Sequence, residues 1–447
     1  MGLGLFGGGV ELIRYLVRHN AQVTVTDLKD RDGLRESVEA LKDLPIRWKL
    51  GRHDEEDFRA ADMVFASPAV PSDSDYLRIA MAHGIPVETE MNLFFKLCPA
   101  PIVGVTGSSG KTTTTCLIGE MLRKVDRRTL VGGNIGGSPL SGLDALSPDI
   151  PVVLELSSFQ LENLQEVRRS PHIAVVLNLT PDHLDRHGTM EAYIQAKWTI
   201  VAYQTEDDIA VLNADDPVLM AWAERCPGQV LSFGLEQGNG QGVFLRAGRM
   251  VASMGGQEIP ILDARDMVLP GRHNLQNGLA AVCAALTYGV PTEDVARVLR
   301  TFKGVEHRLE LVRELDGVRY YNDSIATSPD RTLAALSAFQ GGIVLIAGGH
   351  EKKLPFHRLA EAIVRQVKML ILIGETAGVV AERVHGEDPG GKVEIRCCGS
   401  LGKAVQVAHE RASTGDVVLL SPAYASYDMF RNFEDRGRQF KEWVRRL

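Results

Sequence analysis

Apolar residues recur with two different periods along the chain, and the two patterns alternate from beginning to end. Short apolar runs of strand length, such as residues 151–156 and 416–423, are followed by longer stretches in which apolar residues return every three or four positions, such as 275–286. Runs of the first kind predict buried strands, and stretches of the second kind predict helices. Strands that alternate with helices predict an α/β fold with parallel sheets.

The alternation divides into three blocks, which predict three domains. We expect a Rossmann-like N-terminal domain over residues 1–96, a central domain with a parallel sheet of the P-loop ATPase type over 97–303, and a Rossmann-like C-terminal domain over 304–447. The proline-containing segment 97–102 is expected to link the first two. The predicted strands are 21–27, 63–69, 102–106, 129–134, 151–156, 172–180, 209–216, 318–323, 342–349, 368–375, 393–397 and 416–423.

The composition narrows the class of function. Of the 447 residues, 45% are hydrophobic and 24% are charged, which is typical of a soluble globular protein. The formal net charge is −8 and no basic block is present, which argues against a nucleic-acid partner. No apolar run reaches the length of a transmembrane helix, the N-terminus lacks the pattern of a secretory signal, and the six cysteines form no C-x-x-C pair. We therefore expect a cytoplasmic protein with reduced cysteines and no membrane partner.

One segment, IVGVTGSSGKTTTT at residues 102–115, predicts a phosphate-binding loop between a strand and a helix. Backbone N–H groups of such a loop bind phosphates, its lysine reaches the terminal phosphates, and its threonine ligates Mg²⁺. The strict pattern has glycine where Val105 stands, and here the first glycine is Gly107. The residues predicted to hold the triphosphate are Gly107, Ser108, Ser109, Gly110, Lys111, Thr112 and Thr113.

A glycine-rich turn opens the chain and resembles a dinucleotide-binding fingerprint. Gly2, Gly4 and Gly7 have the spacing of that fingerprint, and Asp27 follows at the distance of the acid that binds a ribose hydroxyl. The strand that should precede the turn is missing, so either the start is truncated or this sheet is built differently. We therefore expect the turn to bind the phosphates of a nucleotide other than NAD.

Acidic and imidazole side chains follow two predicted strands of the central block. Glu155 ends an apolar strand, where an unpaired carboxylate is costly to bury, so we expect it to be a Mg²⁺ partner and regard a solvated strand end as the alternative. In NLTPDHLDRH, residues 178–187, capping explains part of a polar cluster in which His183 is a candidate metal ligand. That cluster consists of Asp182, His183, Asp185 and His187.

Other polar motifs lie near predicted strand ends or helix starts. Asn274 and Asn277 stand one helical turn apart, which suits a purine base, although capping explains one of them. Ser324 and Thr327 follow a strand, and capping is expected to account for one of the two. Lys197 lies in a helical pattern, where the residues alone favour an ordinary solvated lysine. The remaining motifs contain Arg308, Asp323, Lys352 and Lys353, and the hydroxyl and aromatic residues of 421–434.

Together these motifs resemble the Mur ligase family of ATP-dependent amide-bond-forming enzymes, over essentially the whole chain. The resemblance rests on TGSSGKTT, GGNIG, LELSSFQLE, NLTPDHLDRH, the helix ending at Lys197, NADD, HNxxN, EHRLE, NDSIAT and LSPAxASxDxFxNFExRG. NDSIAT and the last motif resemble the members that add D-glutamate to UDP-N-acetylmuramoyl-L-alanine. Sibling ligases for other amino acids and folylpolyglutamate synthase carry histidine-containing motifs where this chain has NDSIAT.

The resemblance implies a cytoplasmic step of peptidoglycan precursor synthesis that passes through an acyl phosphate. It implies ATP as co-substrate and two Mg²⁺ ions, with Lys111, His183 and a carbamylated Lys197 as catalytic residues. The implied metal ligands are Thr112, Glu155, His183 and the carbamate on Lys197. Adenosine would be held by Asn274, Asn277, Arg308 and Asp323, and the UDP-linked substrate by Gly4, Leu5, Phe6, Asp27 and Asn134. D-Glutamate would be held by Thr327, Lys352, Ser426 and Phe433.

The chain departs from the family at three places, and other interpretations remain. Ser109 stands where asparagine is common, Ile325 stands where many members have lysine, and the first strand is absent or very short.

A sibling ligase for another amino acid is the nearest alternative. A NAD-dependent dehydrogenase would rest on the first glycines alone, and a P-loop switch protein on the phosphate-binding loop alone. We expect a monomer whose partners are small-molecule substrates.

Overall fold

The computed structural model describes residues 1–4, 8–68, 70–71, 73–135, 137–236, 240–269, 271–351 and 354–447, and the backbone alone of Asp185. The chain forms two compact units, Met1–Phe302 and Lys303–Leu447, which we describe separately. Among the described residues, no helix combines the length and the apolar character needed to cross a bilayer. All six cysteines are free, and two of them, Cys98 and Cys283, are buried.

The first unit begins with short strands and helices that form two small parallel sheets. The strands are β1 (Val23–Asp27), β2 (Ile46–Leu50), β3 (Val64–Phe65) and β4 (Val87–Glu88), paired β1 with β2 and β3 with β4. The helices are α1 (Gly8–Arg18), α2 (Arg35–Glu39), α3 (Glu55–Arg59), α4 (Asp75–Ala82) and α5 (Glu90–Leu97).

The first residues of the chain lie between these two sheets. The N–H of Gly2 donates to the carbonyl of Thr26, a residue of β1, at 2.9 Å. The amine of Met1 donates to the carbonyl of Phe65 at 2.8 Å, and the N–H of Ser67 donates to the carbonyl of Met1 at 3.0 Å. Residues 1–3 therefore connect both sheets by backbone hydrogen bonds, at the place where the fingerprint strand was predicted to be absent or very short.

A nine-stranded sheet forms the centre of the first unit, in the order β13-β12-β11-β10-β9-β8-β5-β7-β6. Its strands are β5 (Ile102–Thr106), β6 (Leu130–Gly133), β7 (Val152–Glu155), β8 (Ile173–Val176), β9 (Ile209–Asn213), β10 (Gln229–Gly234), β11 (Gly242–Arg246), β12 (Arg249–Met254) and β13 (Gln257–Asp263). The helices are α6 (Lys111–Leu122), α7 (Ser158–Leu164), α8 (Leu184–His187), α9 (Met190–Ala202), α10 (Pro217–Ala223), α11 (Arg272–Thr287) and α12 (Thr292–Thr301), with short 3₁₀ helices at Pro139–Ala145 and Ala264–Asp266.

Helices cover both faces of this sheet because successive strand residues point to opposite sides. Val103 and Val105 of β5 pack in one cluster with residues of α6, α11 and α12. Ile102 of the same strand packs in a second cluster with residues of α5, α7 and α9. The strands from β6 to β11 are parallel, and only β11, β12 and β13 pair antiparallel. The carboxyl ends of the parallel strands thus meet at one edge, where open α/β sheets bind ligands.

The second unit has a six-stranded sheet in the order β14-β15-β19-β16-β17-β18. Its strands are β14 (Glu310–Leu315), β15 (Val318–Asn322), β16 (Ile343–Ala347), β17 (Val367–Leu372), β18 (Glu394–Cys397) and β19 (Val417–Leu420), and only β14 and β15 pair antiparallel. The helices are α13 (Pro329–Leu336), α14 (His357–Gln366), α15 (Ala377–Glu387), α16 (Leu401–Arg411) and α17 (Phe433–Arg446). Residues of α13, α14 and α15 pack on one face of the sheet, and residues of α16 and α17 on the other.

The predicted α/β class with parallel-dominated sheets is confirmed. Several predicted strands are shorter than expected: residues 63–69 contain only β3, and the strand in 172–180 ends at Val176. The sequence analysis missed β2, β4, β10–β13 and β14. The domain boundaries 1–96, 97–303 and 304–447 stay a prediction.

Candidate active site

The phosphate-binding loop joins β5 to α6 and has a backbone that requires glycine. Gly110 caps the start of α6 with φ +83°, a conformation that favours glycine. A Cβ atom at this position would lie 2.2 Å from Oδ1 of Asn277, so a side chain has no room. Gly110 therefore lets the loop pass close to Asn277 at the N-terminus of α6, the kind of place where anions bind in proteins.

Asn178 holds the loop from the side, a role that the sequence analysis did not assign. Its carbonyl accepts from the N–H of Ser108 at 3.0 Å, and its Oδ1 accepts from the N–H of Ser109 at 2.8 Å. Its Nδ2 donates to the carbonyl of Ser109 at 3.1 Å. Asn178 is the first residue of the NLTPDH motif, and this position in the motif was the signal in the sequence that could have identified it.

The ammonium of Lys111 lies over the same loop. Its Nζ donates to the carbonyls of Gly107 at 2.8 Å and Ser108 at 3.0 Å. The structure therefore holds this ammonium against the loop, and its contact with terminal phosphates stays a prediction.

Thr112, Glu155 and Asn134 lie together, although they are far apart in sequence. Oγ1 of Thr112 donates to Oε2 of Glu155 at 2.8 Å, and Nδ2 of Asn134 donates to Oε1 of Glu155 at 3.0 Å. Glu155 ends β7, which neighbours β5, so both side chains emerge at the same sheet edge. Glu155 is buried, so its alternative interpretation as a solvated strand end is wrong. A hydroxyl and a buried carboxylate are hard oxygen donors and fit Mg²⁺.

Lys197 of α9 is buried beside the phosphate-binding loop, and the solvated lysine favoured by the residues alone is wrong. Its Nζ donates to Oγ1 of Thr106 at 3.2 Å and to the carbonyl of Gly107 at 3.1 Å. Burial, together with repulsion from the Lys111 ammonium, lowers the pKa of Lys197 to about 7, against weaker attraction by Asp182 and Glu155. A substantial fraction of its amine is therefore neutral and nucleophilic near neutral pH.

Tyr193 connects Lys197 to the phosphate-binding loop and was also missed. Its hydroxyl lies 2.8 Å from Oγ of Ser108, and the centroid of its ring lies 4.9 Å from Nζ of Lys197. Tyr193 stands one turn before Lys197 on α9 and is itself buried. In the sequence it is indistinguishable from an ordinary core aromatic of a helix.

His183 lies just before α8 in a left-handed conformation, with φ 52°. Its Nε2 is 3.6 Å from a carboxylate oxygen of Asp182, and its ring centroid is 5.1 Å from that of Phe159. The ring of His187 stacks on the same phenylalanine, and its Nε2 lies 2.9 Å from Oγ of Ser158. A metal shared by His183 and Lys197 stays a prediction.

Asn274 and Asn277 lie on one face of α11, as predicted. Nδ2 of Asn277 donates to Oδ1 of Asn274 at 3.4 Å, and Asn277 is buried against Gly110. The N-cap of α11 is Gly271, so neither asparagine caps this helix and the predicted capping is wrong. The asparagine pair thus borders the phosphate-binding loop, where a nucleotide would extend.

Asp27 binds the start of the chain through its carboxylate. Its Oδ2 accepts from the N–H of Leu3 at 2.8 Å, and its Oδ1 accepts from the N–H of Lys29 at 2.9 Å. Gly4 has φ +68°, and its carbonyl accepts from Oγ of Ser37 at 2.8 Å. Of the other residues predicted to bind the UDP-linked substrate here, Leu5 and Phe6 lie outside the described residues, as does Gly7.

In the second unit, Asp323 is buried where β15 ends. Its Oδ2 accepts from Oγ of Ser421 at 2.7 Å, and its Oδ1 accepts from the N–H of Leu309 at 3.2 Å. Burial raises the pKa of Asp323 to about 7, although the Ser421 hydrogen bond and the nearby Arg308 oppose this rise. The predicted adenosine contacts Arg308 and Asp323 are thus close to each other.

Three of the four residues predicted to bind D-glutamate are described, and they lie on two loops and at the start of one helix of the second unit. Thr327 follows β15, Ser426 is buried after β19, and Phe433 begins α17. Oγ of Ser324 donates to the carbonyl of Phe433 at 2.7 Å and so joins the loop after β15 to the start of α17. The N-cap of α13 is Ser328, so the predicted capping by Ser324 or Thr327 is wrong. Lys352 and Lys353 lie outside the described residues.

Three family models match the chain. They are the Mur ligase MurD-like N-terminal domain over residues 1–89, the Mur ligase middle domain over 105–285, and the Mur ligase glutamate ligase domain over 307–424. Among similar proteins, a UDP-N-acetylmuramoylalanine–D-glutamate ligase of Roseiflexus sp. is 48% identical over 99% of this chain and 97% of its own length. A ligase of the same name from Symbiobacterium thermophilum is 45% identical over 100% of this chain and 97% of its own length.

Solved structures share the fold at lower identity. A UDP-N-acetylmuramate–alanine ligase from Thermotoga maritima matches with a TM-score of 0.59 and 21% identity, over 100% of this chain and 98% of that chain. A MurF ligase from the same organism, in complex with ADP, matches with a TM-score of 0.54 and 22% identity, over 88% of this chain and 100% of that chain.

Proposed function

This chain belongs to the Mur ligase family, and from that membership we propose that it joins D-glutamate to UDP-N-acetylmuramoyl-L-alanine at the expense of ATP. The observation that carries the proposal is the full-length identity, 41% to 48%, to ligases that bear this activity in their names. The phosphate-binding loop and the strand-end carboxylate supply a physical reason for an acid-activating step. Mur ligases generally use ATP and Mg²⁺.

The first unit would activate the acid. The substrate carboxylate attacks the γ-phosphorus of ATP, a new O–P bond forms, and ADP leaves. Lys111 would hold the transferred phosphoryl group, while the backbone of the loop binds the neighbouring phosphates. Thr112 and Glu155 would hold one Mg²⁺, which when bound offsets the negative charge on the phosphates. Asn134, on the other oxygen of Glu155, would orient that carboxylate and contact the substrate.

Lys197 would carry a carbamate. The neutral form of its buried amine can form an N–C bond to carbon dioxide with loss of one proton, which gives a carbamate anion. Starting from the ammonium, two protons are lost, and the cation is replaced by an anion. Such an anion, together with His183, would hold a second Mg²⁺. The neighbouring Lys111 ammonium, which disfavours a second cation at this place, favours an anion instead.

The second unit would bring the amine. The D-glutamate nitrogen attacks the acyl carbon, the C–O bond to phosphate breaks through a tetrahedral intermediate, and the nitrogen loses a proton. Thr327, Lys352, Ser426 and Phe433 would bind the amino acid. Asn274, Asn277, Arg308 and Asp323 would bind adenosine, and Gly4, Leu5, Phe6, Asp27 and Asn134 the UDP-linked acid.

Three further points belong to the proposal. The domains would run over 1–96, 97–303 and 304–447. The enzyme would act as a monomer. Its place would be the cytoplasm, because ATP and UDP-linked sugars are available there.

Phosphate release tests the proposal. The enzyme is incubated with ATP, Mg²⁺ and UDP-N-acetylmuramoyl-L-alanine, and phosphate is measured with D-glutamate, L-lysine, meso-diaminopimelate, D-alanyl-D-alanine or no amine. We expect sustained release only with D-glutamate, and an amide product of matching mass. Release with a different amine would identify a sibling ligase, and sustained release independent of every amine would refute ligation.

A further inference from the structure

A buried arginine lies at the centre of the second unit's loops and has no assigned role so far. Arg436, on the first turn of α17, is fully buried. Its Nε donates to Oγ of Ser324 at 3.0 Å, and one Nη donates to the carbonyl of Ser324, also at 3.0 Å. Its other Nη donates to the carbonyls of Tyr424 at 3.2 Å and Ala425 at 3.3 Å. One guanidinium therefore joins the loop after β15, the loop after β19 and the start of α17.

These three segments carry the described residues that we proposed to bind D-glutamate. Ser324 stands three residues before Thr327, Ala425 directly precedes Ser426, and Arg436 follows Phe433 by nearly one helical turn. The hydroxyl of Ser324 accepts from Arg436 and donates to the carbonyl of Phe433, so it completes the connection. A shift of this guanidinium would move all three contacts at once.

The charge of Arg436 is not neutralised by a direct ion pair within the described part of the chain. Its hydrogen-bond acceptors among the described residues are all neutral, and the Asp428 carboxylate attracts it without forming an ion pair. Oδ2 of Asp428 accepts from the N–H of Glu375 at 3.0 Å, whereas its Oδ1 is buried and has no hydrogen-bond partner among the described residues. Burial lowers the pKa of Arg436 to about 9, so the guanidinium stays charged at neutral pH. A buried cation without a paired anion is costly unless something compensates it.

We propose that Arg436 is a positioning and specificity-determining residue for the amino-acid substrate. It fixes the three binding segments through its four hydrogen bonds, and its charge favours an amino acid whose side chain is a carboxylate over a neutral one of the same shape. The proposal rests on the proposed function, because it assumes that these loops receive D-glutamate. It does not require direct contact between the guanidinium and the substrate.

A purely structural role would give a different result. If Arg436 only held the fold together, its replacement would weaken all substrates and both half-reactions alike. If it acts on the amino-acid site, replacement should raise the KM for D-glutamate while the activation of the acid continues. Hydroxylamine separates the two, because it converts an acyl phosphate into a hydroxamate and phosphate without a bound amino acid.

The experiment compares Arg436→Met, which removes the charge, and Arg436→Lys, which keeps it, with Arg438→Met. Arg438 lies on the same helix with an exposed side chain, so its replacement removes the same charge from the surface. Each full-length variant is assayed for the KM of D-glutamate and of ATP, for hydroxamate formation, and for the preference for D-glutamate over D-glutamine. Ser324→Ala, which removes one acceptor, is a milder fourth variant.

We expect Arg436→Met to raise the KM for D-glutamate about tenfold or more, because a charge-assisted network is lost. Its KM for ATP and its hydroxamate yield should stay within about twofold of wild type, and its preference over D-glutamine should fall. Arg436→Lys should raise the same KM yet retain the preference. Arg438→Met should behave as wild type.

Provided that the wild-type enzyme is active, an unchanged KM for D-glutamate and an unchanged preference over D-glutamine in Arg436→Met would overturn the inference. If Arg436→Met does not fold, Arg436→Lys and Ser324→Ala decide, and a KM for D-glutamate within about twofold of wild type in both would overturn it. Equal loss of hydroxamate and amide formation in a folded variant would also overturn it, in favour of a structural role. Failure of the proposed function would look different, because wild type itself would then not depend on D-glutamate.

Discussion

Two buried cations, one in each compact unit, solve the same physical problem in opposite ways. Lys197 lies under the phosphate-binding loop with two hydrogen-bond acceptors, and its pKa falls to about 7. Arg436 has four hydrogen bonds to neutral acceptors, and its pKa falls only to about 9. A substantial fraction of the lysine is therefore neutral near pH 7 and can act as a nucleophile, whereas the arginine keeps its charge and fixes geometry. Both pKa values fall by a similar amount, from 10.5 to about 7 and from 12.5 to about 9, so the higher intrinsic basicity of the guanidinium decides which cation stays charged.

The largest loss of activity is expected from replacement of Lys111, the cation beside Lys197. Lys111→Ala should lower kcat by about a thousandfold or more, because the transferred phosphoryl group loses its cation. The measurement is the rate of hydroxamate formation in the presence of hydroxylamine. Lys124→Ala, an exposed lysine just after the same helix, is the matched control and should retain full activity. Hydroxamate formation by Lys111→Ala at the wild-type rate would remove the loop from the mechanism.

The next largest loss of activity tests whether Lys197 carries an anionic carbamate. Lys197→Ala should lower kcat by about a hundredfold or more, because the carboxylate-like group of the metal site is lost. Acetate or propionate should restore part of the activity, since a small carboxylate can enter the space left by the side chain. Ammonium and methylamine are the matched controls and should not restore it. Full activity of the variant, or rescue by amines, would contradict the carbamate.

The sequence predicted the neighbourhood of Lys111 better than that of Arg436, and the reason is physical. Thr112 and Glu155 follow adjacent parallel strands, so the rule that ligands bind at strand ends places them together. Arg436 belongs to the NFExRG part of a motif that carries the resemblance, but its burial and its hydrogen bonds follow only from the packing of two distant loops. The contact between Asn277 and Gly110 also depends on how distant segments pack, and the local sequence pattern does not show it. The missed antiparallel strands β11–β13 have mixed polarity and lack the continuous apolar run of a buried parallel strand.

A smaller effect concerns the cost of burying Lys197. Its pKa is lower in the folded state than its ordinary value of 10.5, so between pH 7 and 10.5 the unfolded chain binds the extra proton. The destabilisation is therefore complete below about pH 7 and is relieved as the pH rises. Lys197→Met should raise the free energy of unfolding by roughly 1 to 3 kcal/mol at pH 7, in buffer free of carbon dioxide. Urea unfolding at pH 7 and pH 10 checks this, and a gain independent of pH would contradict it.

The smallest expected effect is on the free energy of unfolding and concerns Asp323, a buried acid. The pKa of Asp323 is higher in the folded state, about 7, than its ordinary value of 3.8, so the native state binds the extra proton between these values. Ionisation of Asp323 should thus cost wild type stability as the pH rises from 4 to 7. Asp323→Asn should remove that loss and be more stable than wild type at pH 8 by roughly 1 to 2 kcal/mol, but not at pH 4. Parallel pH profiles of the two proteins would contradict the assignment.

Transfer of oxygen-18 tests most directly the central claim, that the first unit activates the acid as an acyl phosphate before the amine attacks. UDP-N-acetylmuramoyl-L-alanine labelled in its alanine carboxylate is incubated with ATP, Mg²⁺, D-glutamate and the enzyme, and the released phosphate is analysed by mass spectrometry. We predict one labelled oxygen in the phosphate for each amide bond formed, because the carboxylate oxygen leaves bound to phosphorus. Unlabelled phosphate accompanying a labelled amide would contradict the account.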